Sequence, residues 1–111
     1  MKQQPFNFGS GTVTHSSWDF DESVPLNEQL WRYGQDLIMV EYGRSGLNLH
    51  IAWRQQGEGS KGEFLVILAR GYEWDKPLIE RRPQSLEALR AELVEIVRKA
   101  DEIEWQSGTR S

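Results

Sequence analysis

The 111-residue chain contains no cysteine, two histidines and four prolines. Without cysteine there is no disulfide, thiolate nucleophile, Fe–S cluster or cysteine-based zinc site. With only His15 and His50 as imidazoles, the means for general-base or metal chemistry are few. No apolar run approaches the roughly 20 residues that a membrane helix needs. The opening Met1-Lys2-Gln3-Gln4-Pro5 has no apolar stretch behind its charge, so no secretory leader is expected. These absences point to a soluble, cytoplasmic chain.

Basic residues are in deficit. Thirteen Lys and Arg face seventeen Asp and Glu, for a net charge of −4. Three basic and six acidic residues precede Arg54, whereas ten basic and eleven acidic residues follow from there, so the acidic excess lies in the N-terminal half. Phosphate binding needs clustered cations, and Arg81-Arg82 is too short to be such a patch, so direct binding of nucleic acid is disfavoured.

What is abundant is aromatic. Five Trp, three Tyr and four Phe, in a chain that is 38% hydrophobic, are enough for one packed core and more than a small interior readily holds. A single domain spanning 1–111 is expected, with 1–5 and 108–111 as flexible ends.

Periodicity sets out an α+β fold. Leu86, Leu89, Leu93, Ile96, Val97, Ala100 and Ile103 form one helical stripe, with Ser85 as its cap, for a helix over about 85–105. Pro25 as a first helical residue, with Leu26, Leu30, Trp31 and Leu37 following, suggests a shorter helix over about 25–35. Leu47, Leu49, Ile51 and Trp53 alternate with polar or small neighbours, the period of a strand over about 47–56. Phe64–Ala69 is apolar on both faces and reads as a central, buried strand over about 63–71. The stretch 37–43 fits either helix or strand. The strand is favoured, because Gly43-Arg44-Ser45-Gly46 then closes a hairpin. The result is a three- to four-stranded antiparallel sheet packed by two helices, with Thr12–His15 as a possible edge strand and any strand after Pro77 confined to Leu78–Arg81.

Catalytic patterns fail on spacing. Asp19-x-Asp21 begins like a calcium loop, but glycine is missing at its sixth position and Leu30 stands where the closing Glu belongs. Gly9-x-Gly11 lacks the third glycine of a dinucleotide fingerprint, and no Gly-x-Ser-x-Gly elbow supports a serine nucleophile beside His15. His50, on the strand face opposite Leu49 and Ile51, is read as solvent-facing or packed beneath a helix. No metal, no cofactor and no enzymatic activity is expected.

Aromatics alternating with carboxylates remain to be explained, in Trp18-Asp19-Phe20-Asp21-Glu22, in Tyr72-Glu73-Trp74-Asp75 and in Glu102-Ile103-Glu104-Trp105. Rings supply buried anchors and carboxylates supply steering, the combination that grips a basic protein. Candidate contact residues are therefore Trp18, Asp19, Phe20, Asp21, Glu22, Tyr72, Glu73, Trp74 and Asp75, whereas Trp31 and Trp53 are assigned to the core.

In overall character (small, acidic, free of cysteine, rich in tryptophan, α+β) the chain resembles the bacterial immunity proteins of contact-dependent growth inhibition and other polymorphic toxin systems. That resemblance implies a non-enzymatic monomer that neutralises a cognate, basic toxin domain one-to-one, in such systems often a nuclease. A secretion-type chaperone holding an effector segment is the alternative, followed by a small-ligand or hydrolytic domain built on His15 or His50.

Overall fold

The computed structural model describes residues 6–18, 21, 23–32 and 36–109. The element order is β1 (Thr12–Ser16), α1 (Leu26–Gln29), a 3-10 turn (Leu30–Arg32), β2 (Asp36–Tyr42), β3 (Leu47–Arg54), β4 (Glu63–Arg70), β5 (Ile79–Arg81) and α2 (Leu86–Thr109). The five strands form one antiparallel meander in sequence order, β1-β2-β3-β4-β5. The fold is α+β as expected, and the two short stretches offered as strands, here β1 and β5, both join the sheet, bringing the expected three to four strands to five.

The ambiguous stretch is a strand. Ile38, Val40 and Tyr42 pair with Ile51, Leu49 and Leu47, so all six side chains share one face. A bulge between Asp36 and Ile38 brings the consecutive Leu37 and Ile38 both into the core, which is why this stretch does not alternate cleanly. Phe64, Val66 and Leu68 continue the face across β4. The centre of the sheet is β3 rather than β4. The apolar run of β4 reflects cover on both faces, not a central place in the order.

Helix α2 lies against this face through Leu89, Leu93, Ile96, Val97 and Ala100, all buried. Each Leu, Ile or Val of this set removed from water contributes about 1.5–3 kcal/mol, so the stripe is a principal source of stability. Ser85 caps the helix, its hydroxyl accepting from the Ala88 N–H at 3.1 Å. The helix runs on through Ser107 and Gly108 to Thr109, past the expected end near 105.

Among the described residues, which leave out 33–35 of the expected span, the N-terminal α-helix is much shorter than its spacing suggested. Pro25 is its N-cap, with ψ at 132°, and only four α-helical residues follow before the chain tightens into the 3-10 turn. So short a helix cannot sustain itself by propagation and is held by packing. Leu30 is fully buried and Leu26 packs against the core in part, while the adjacent Trp31 is turned outward at 39% exposure. The core assignment of Trp31 is thereby corrected.

On the other face of the sheet the side chains are smaller. Ala52, Leu65, Ile67 and Ala69 make a second cluster, covered in part by Trp74 from the β4–β5 connection. No helix among the described residues is long and apolar enough to cross a membrane.

Candidate partner-binding surface

The β4–β5 connection owes its shape to its two ends. Gly71 takes φ of 59°, a left-handed conformation that turns the chain out of β4 and that L side chains rarely adopt. Its N–H donates to the Gly46 carbonyl at 2.7 Å, and its own carbonyl accepts from the Asn48 side-chain amide at 2.7 Å. Tight turns follow, with the Trp74 N–H on the Tyr72 carbonyl and the Lys76 N–H on that of Glu73. The Leu78 N–H rejoins the sheet at the Leu68 carbonyl, 2.8 Å.

Within this pinned loop the four sequence-predicted residues divide. Tyr72 is 77% exposed, with exposed Glu73 and Asp75 on either side of Trp74. Trp74 folds back instead. Its indole lies 5.6 Å from the His50 ring, tilted by 52°, over the small-residue face. His50 is half-buried there, and its Nε2 meets the Asp36 Oδ1 at 2.7 Å. The sequence left His50 either solvent-facing or beneath a helix, and the structure puts it under a cover. That cover is a loop tryptophan rather than a helix.

The other candidate segment is placed differently. Trp18 is half-buried, stacked on Phe64 at 6.1 Å and 16° and edge-on to Phe6 at 5.0 Å. Asp21 is exposed, and its Oδ1 accepts from both the N–H and the hydroxyl of Ser23. The Ser23 hydroxyl bond, then the backbone bond, holds the Asp21 carboxyl below its ordinary value. The carboxylate is thus engaged in a local turn ahead of α1. Asp19, Phe20 and Glu22 lie outside the described residues.

Strand register separates the two segments. Trp18 joins Phe64 at the start of β4, whereas Gly71 and Tyr72 follow its end, eight residues and about 25 Å of strand away. What lies beside Tyr72 is the β2–β3 turn, because Gly71 is bonded to Gly46 and the Arg70 guanidinium donates to the Ser45 carbonyl.

That same turn holds the third aromatic and acidic stretch. Glu104 is buried, at 7% exposure, and its carboxylate accepts from the Ser45 N–H at 2.7 Å and the Arg44 N–H at 3.1 Å. Burial opposes its ionisation, but the Arg44 and Ser45 N–H groups, the Ser45 hydroxyl and the Arg44 charge outweigh that and lower its proton affinity. The neighbouring Trp105 is 67% exposed. Tyr72, Glu73, Asp75 and Trp105 therefore gather around one end of the sheet, with Arg44, Arg70 and Lys76 among them.

Glu104 was legible as an exception. It stands seven residues beyond Val97 and four beyond Ala100, inside the apolar stripe of α2, where a carboxylate must find donors. Asp101 does the same for the N-terminal segment, accepting from the Ser10 N–H at 2.8 Å and its hydroxyl at 2.6 Å. No group of three or more His, Asp or Glu among the described residues is placed to hold a metal ion. No family model matches the chain, and no curated protein or solved structure matches it.

Proposed function

We propose that the chain is a non-enzymatic, cytoplasmic binding protein of the immunity type, which neutralises a cognate toxin domain by occupying it one-to-one. The supporting observation is Tyr72, a large ring held 77% exposed on a loop whose two ends are hydrogen-bonded into the sheet. A ring carried on a loop already held in place requires no ordering of that loop's backbone on association, and an aromatic side chain has few rotamers to lose. Trp105 is a second exposed ring at the same end of the molecule. Glu73 and Asp75 supply negative charge beside Tyr72, and Trp74 holds the loop against the sheet.

The contact surface on this reading is Tyr72, Glu73, Asp75 and Trp105, with Trp74 as its support. Trp18 acts in the core and Asp21 in its local turn. Arg44, Arg70 and Lys76 dilute the negative field at this end, so the rings provide most of the affinity and the carboxylates mainly orient the partner.

The test begins with the protein encoded next to this chain, expressed as its C-terminal domain and titrated with the chain by calorimetry. A one-to-one complex is expected, with Tyr72→Ala raising Kd about 30-fold or more, the loss of a hot spot worth about 2 kcal/mol. An unchanged Kd for the Tyr72→Ala, Trp105→Ala double variant would remove this surface from consideration. A stable homodimer by light scattering, with affinity for an extended peptide, would favour the chaperone reading.

A further inference from the structure

At the end of the sheet remote from Tyr72, an open groove of about 710 Å3 lies between the 3-10 turn, the end of β3, the 55–62 connection and the entry to α2. Trp31, Trp53, Arg54, Gln55, Lys61 and Gln84 supply much of its lining. Its size falls within the ~300–1,000 Å3 typical of small-molecule sites.

The floor is fixed in advance of any ligand. Trp53 is inward by strand alternation, and its indole lies so close to Gly62 that an added Cβ there would come within 2.1 Å of the ring. The indole N–H donates to Gln55 Oε1 at 2.7 Å. The Gln55 amide in turn donates to the Asn27 carbonyl at 2.6 Å and the Gly57 carbonyl at 2.7 Å. One glutamine thus ties β3, α1 and the connection into a single bracket. Trp31 stands on this floor as an outward-turned aromatic wall.

Charge in the groove is unbalanced in one direction. Arg54 and Lys61 are exposed, and neither enters an ion pair among the described residues. The one acid of the lining, Glu63, is occupied by the Arg82 guanidinium at 3.0 Å. Two cations outside any ion pair, beside the exposed indole of Trp31 in a chain of net charge −4, are matched by a ligand that is planar at one end and anionic at the other. A bare anion would make no use of the exposed part of Trp31, and a neutral ring would make none of the cations.

We infer that this groove binds a small aromatic anion, a planar ring carrying a phosphate or carboxylate, with the ring against Trp31 and the anionic group on Arg54 and Lys61. The site is independent of the partner-binding surface at the opposite end, and either can fail without the other.

Calorimetry on the full chain with AMP, indole-3-acetate, adenosine and inorganic phosphate tests the inference. At least one of the two aromatic anions should bind with Kd below about 1 mM and about tenfold or more tighter than adenosine or phosphate. AMP alone would identify a phosphate ligand and indole-3-acetate alone a carboxylate ligand. The Arg54→Ala, Lys61→Ala double variant should bring that aromatic anion down to the affinity of adenosine, and Trp31→Ala should weaken it by about tenfold. All three side chains are at the surface, and Arg98→Ala, an exposed charge on α2, serves as the control expected to change nothing. Neither aromatic anion binding, phosphate binding as well as AMP, or the double variant binding like the parent chain would each overturn the proposal.

Discussion

Trp18 and Tyr72 stand in segments of nearly the same composition and meet opposite fates. Each follows a strand-forming stretch and is followed by carboxylates, yet Trp18 is stacked on Phe64 and Tyr72 is 77% exposed. The difference lies in what the adjacent strand end offers. At the start of β4, Phe64 already leans edge-on against Trp53 at 4.8 Å, and Phe6 arrives from the N-terminal segment, so a fourth ring joins an existing aromatic row. At the end of β4, Gly71 turns the chain outward, and the small Ala69 and Ala52 leave room for one ring, which Trp74 takes. Local sequence sets the type of residue available. The partner surface decides which ring is left over.

The comparison is broken most severely by removing the inward ring. Trp18→Ala deletes the stacked indole and opens a gap between Phe6 and Phe64, and it should destabilise the fold by about 2–3 kcal/mol, less than a fully buried tryptophan because Trp18 is half-exposed. Urea denaturation would show this as a lower midpoint at constant slope. A change under about 0.5 kcal/mol would mean that the aromatic row contributes nothing beyond surface cover.

Glu104 comes next, because it ties the contact end of the molecule to α2. Glu104→Gln keeps the shape but replaces a charged acceptor of two backbone N–H groups, and it should cost about 1–2 kcal/mol. The sign of its pH dependence follows from the lowered proton affinity. As pH falls, the unfolded chain takes up a proton at the ordinary value of 4.5 while the folded chain still resists. The stabilisation is therefore complete above about pH 4.5 and is lost as pH falls through the lower folded-state value. Acid unfolding of Glu104→Gln should lack this component. An acid transition identical to that of the parent chain would assign the loss to other carboxylates.

Tyr42→Phe is a smaller perturbation. The Tyr42 hydroxyl donates to the Phe8 carbonyl at 2.9 Å in the core. Burial, together with the Asp101 and Glu104 charges, raises its proton affinity, so the hydroxyl stays protonated and able to donate. Its removal should cost about 1 kcal/mol by thermal or chemical unfolding, because the ring packing survives. A neutral outcome would mean that water replaces the hydroxyl at Phe8.

These cases also show how far the sequence could be read. The strands and α2 were legible because β3 alternates with period two and α2 keeps one stripe over five turns, so the local pattern and the tertiary partner agree. The N-terminal helix was overextended because a spacing of apolar residues says nothing about length. Leu30, with partial cover from Leu26, satisfies the core there, and Trp31 is released outward. The contact surface was legible as composition but not as geometry. Nothing local distinguishes a tryptophan beside Phe64 from a tyrosine beyond Gly71, and the docking of the end of α2 on the β2–β3 turn depends on hydrogen bonds between residues some 60 positions apart. Glu104 was the missed exception, visible only when helical spacing is applied to the charged residues as well as to the apolar ones.

The smallest expected effect is the one that sharpens the comparison most. Tyr72→Ala should leave folding stability within about 0.5 kcal/mol of the parent chain, because the side chain is exposed and Gly71, not Tyr72, holds the turn. The loop should remain in place, since its anchors at Gly46, Asn48 and Leu68 are backbone and amide contacts that the substitution does not touch. Hydrogen exchange at the Leu78 amide reports that directly, and its protection should be unchanged. If Tyr72→Ala instead destabilised the chain by about 2 kcal/mol, as Trp18→Ala is expected to, the two rings would be doing the same work. The exposed tyrosine would then be part of the fold, and its claim to be a binding anchor would fall with that result.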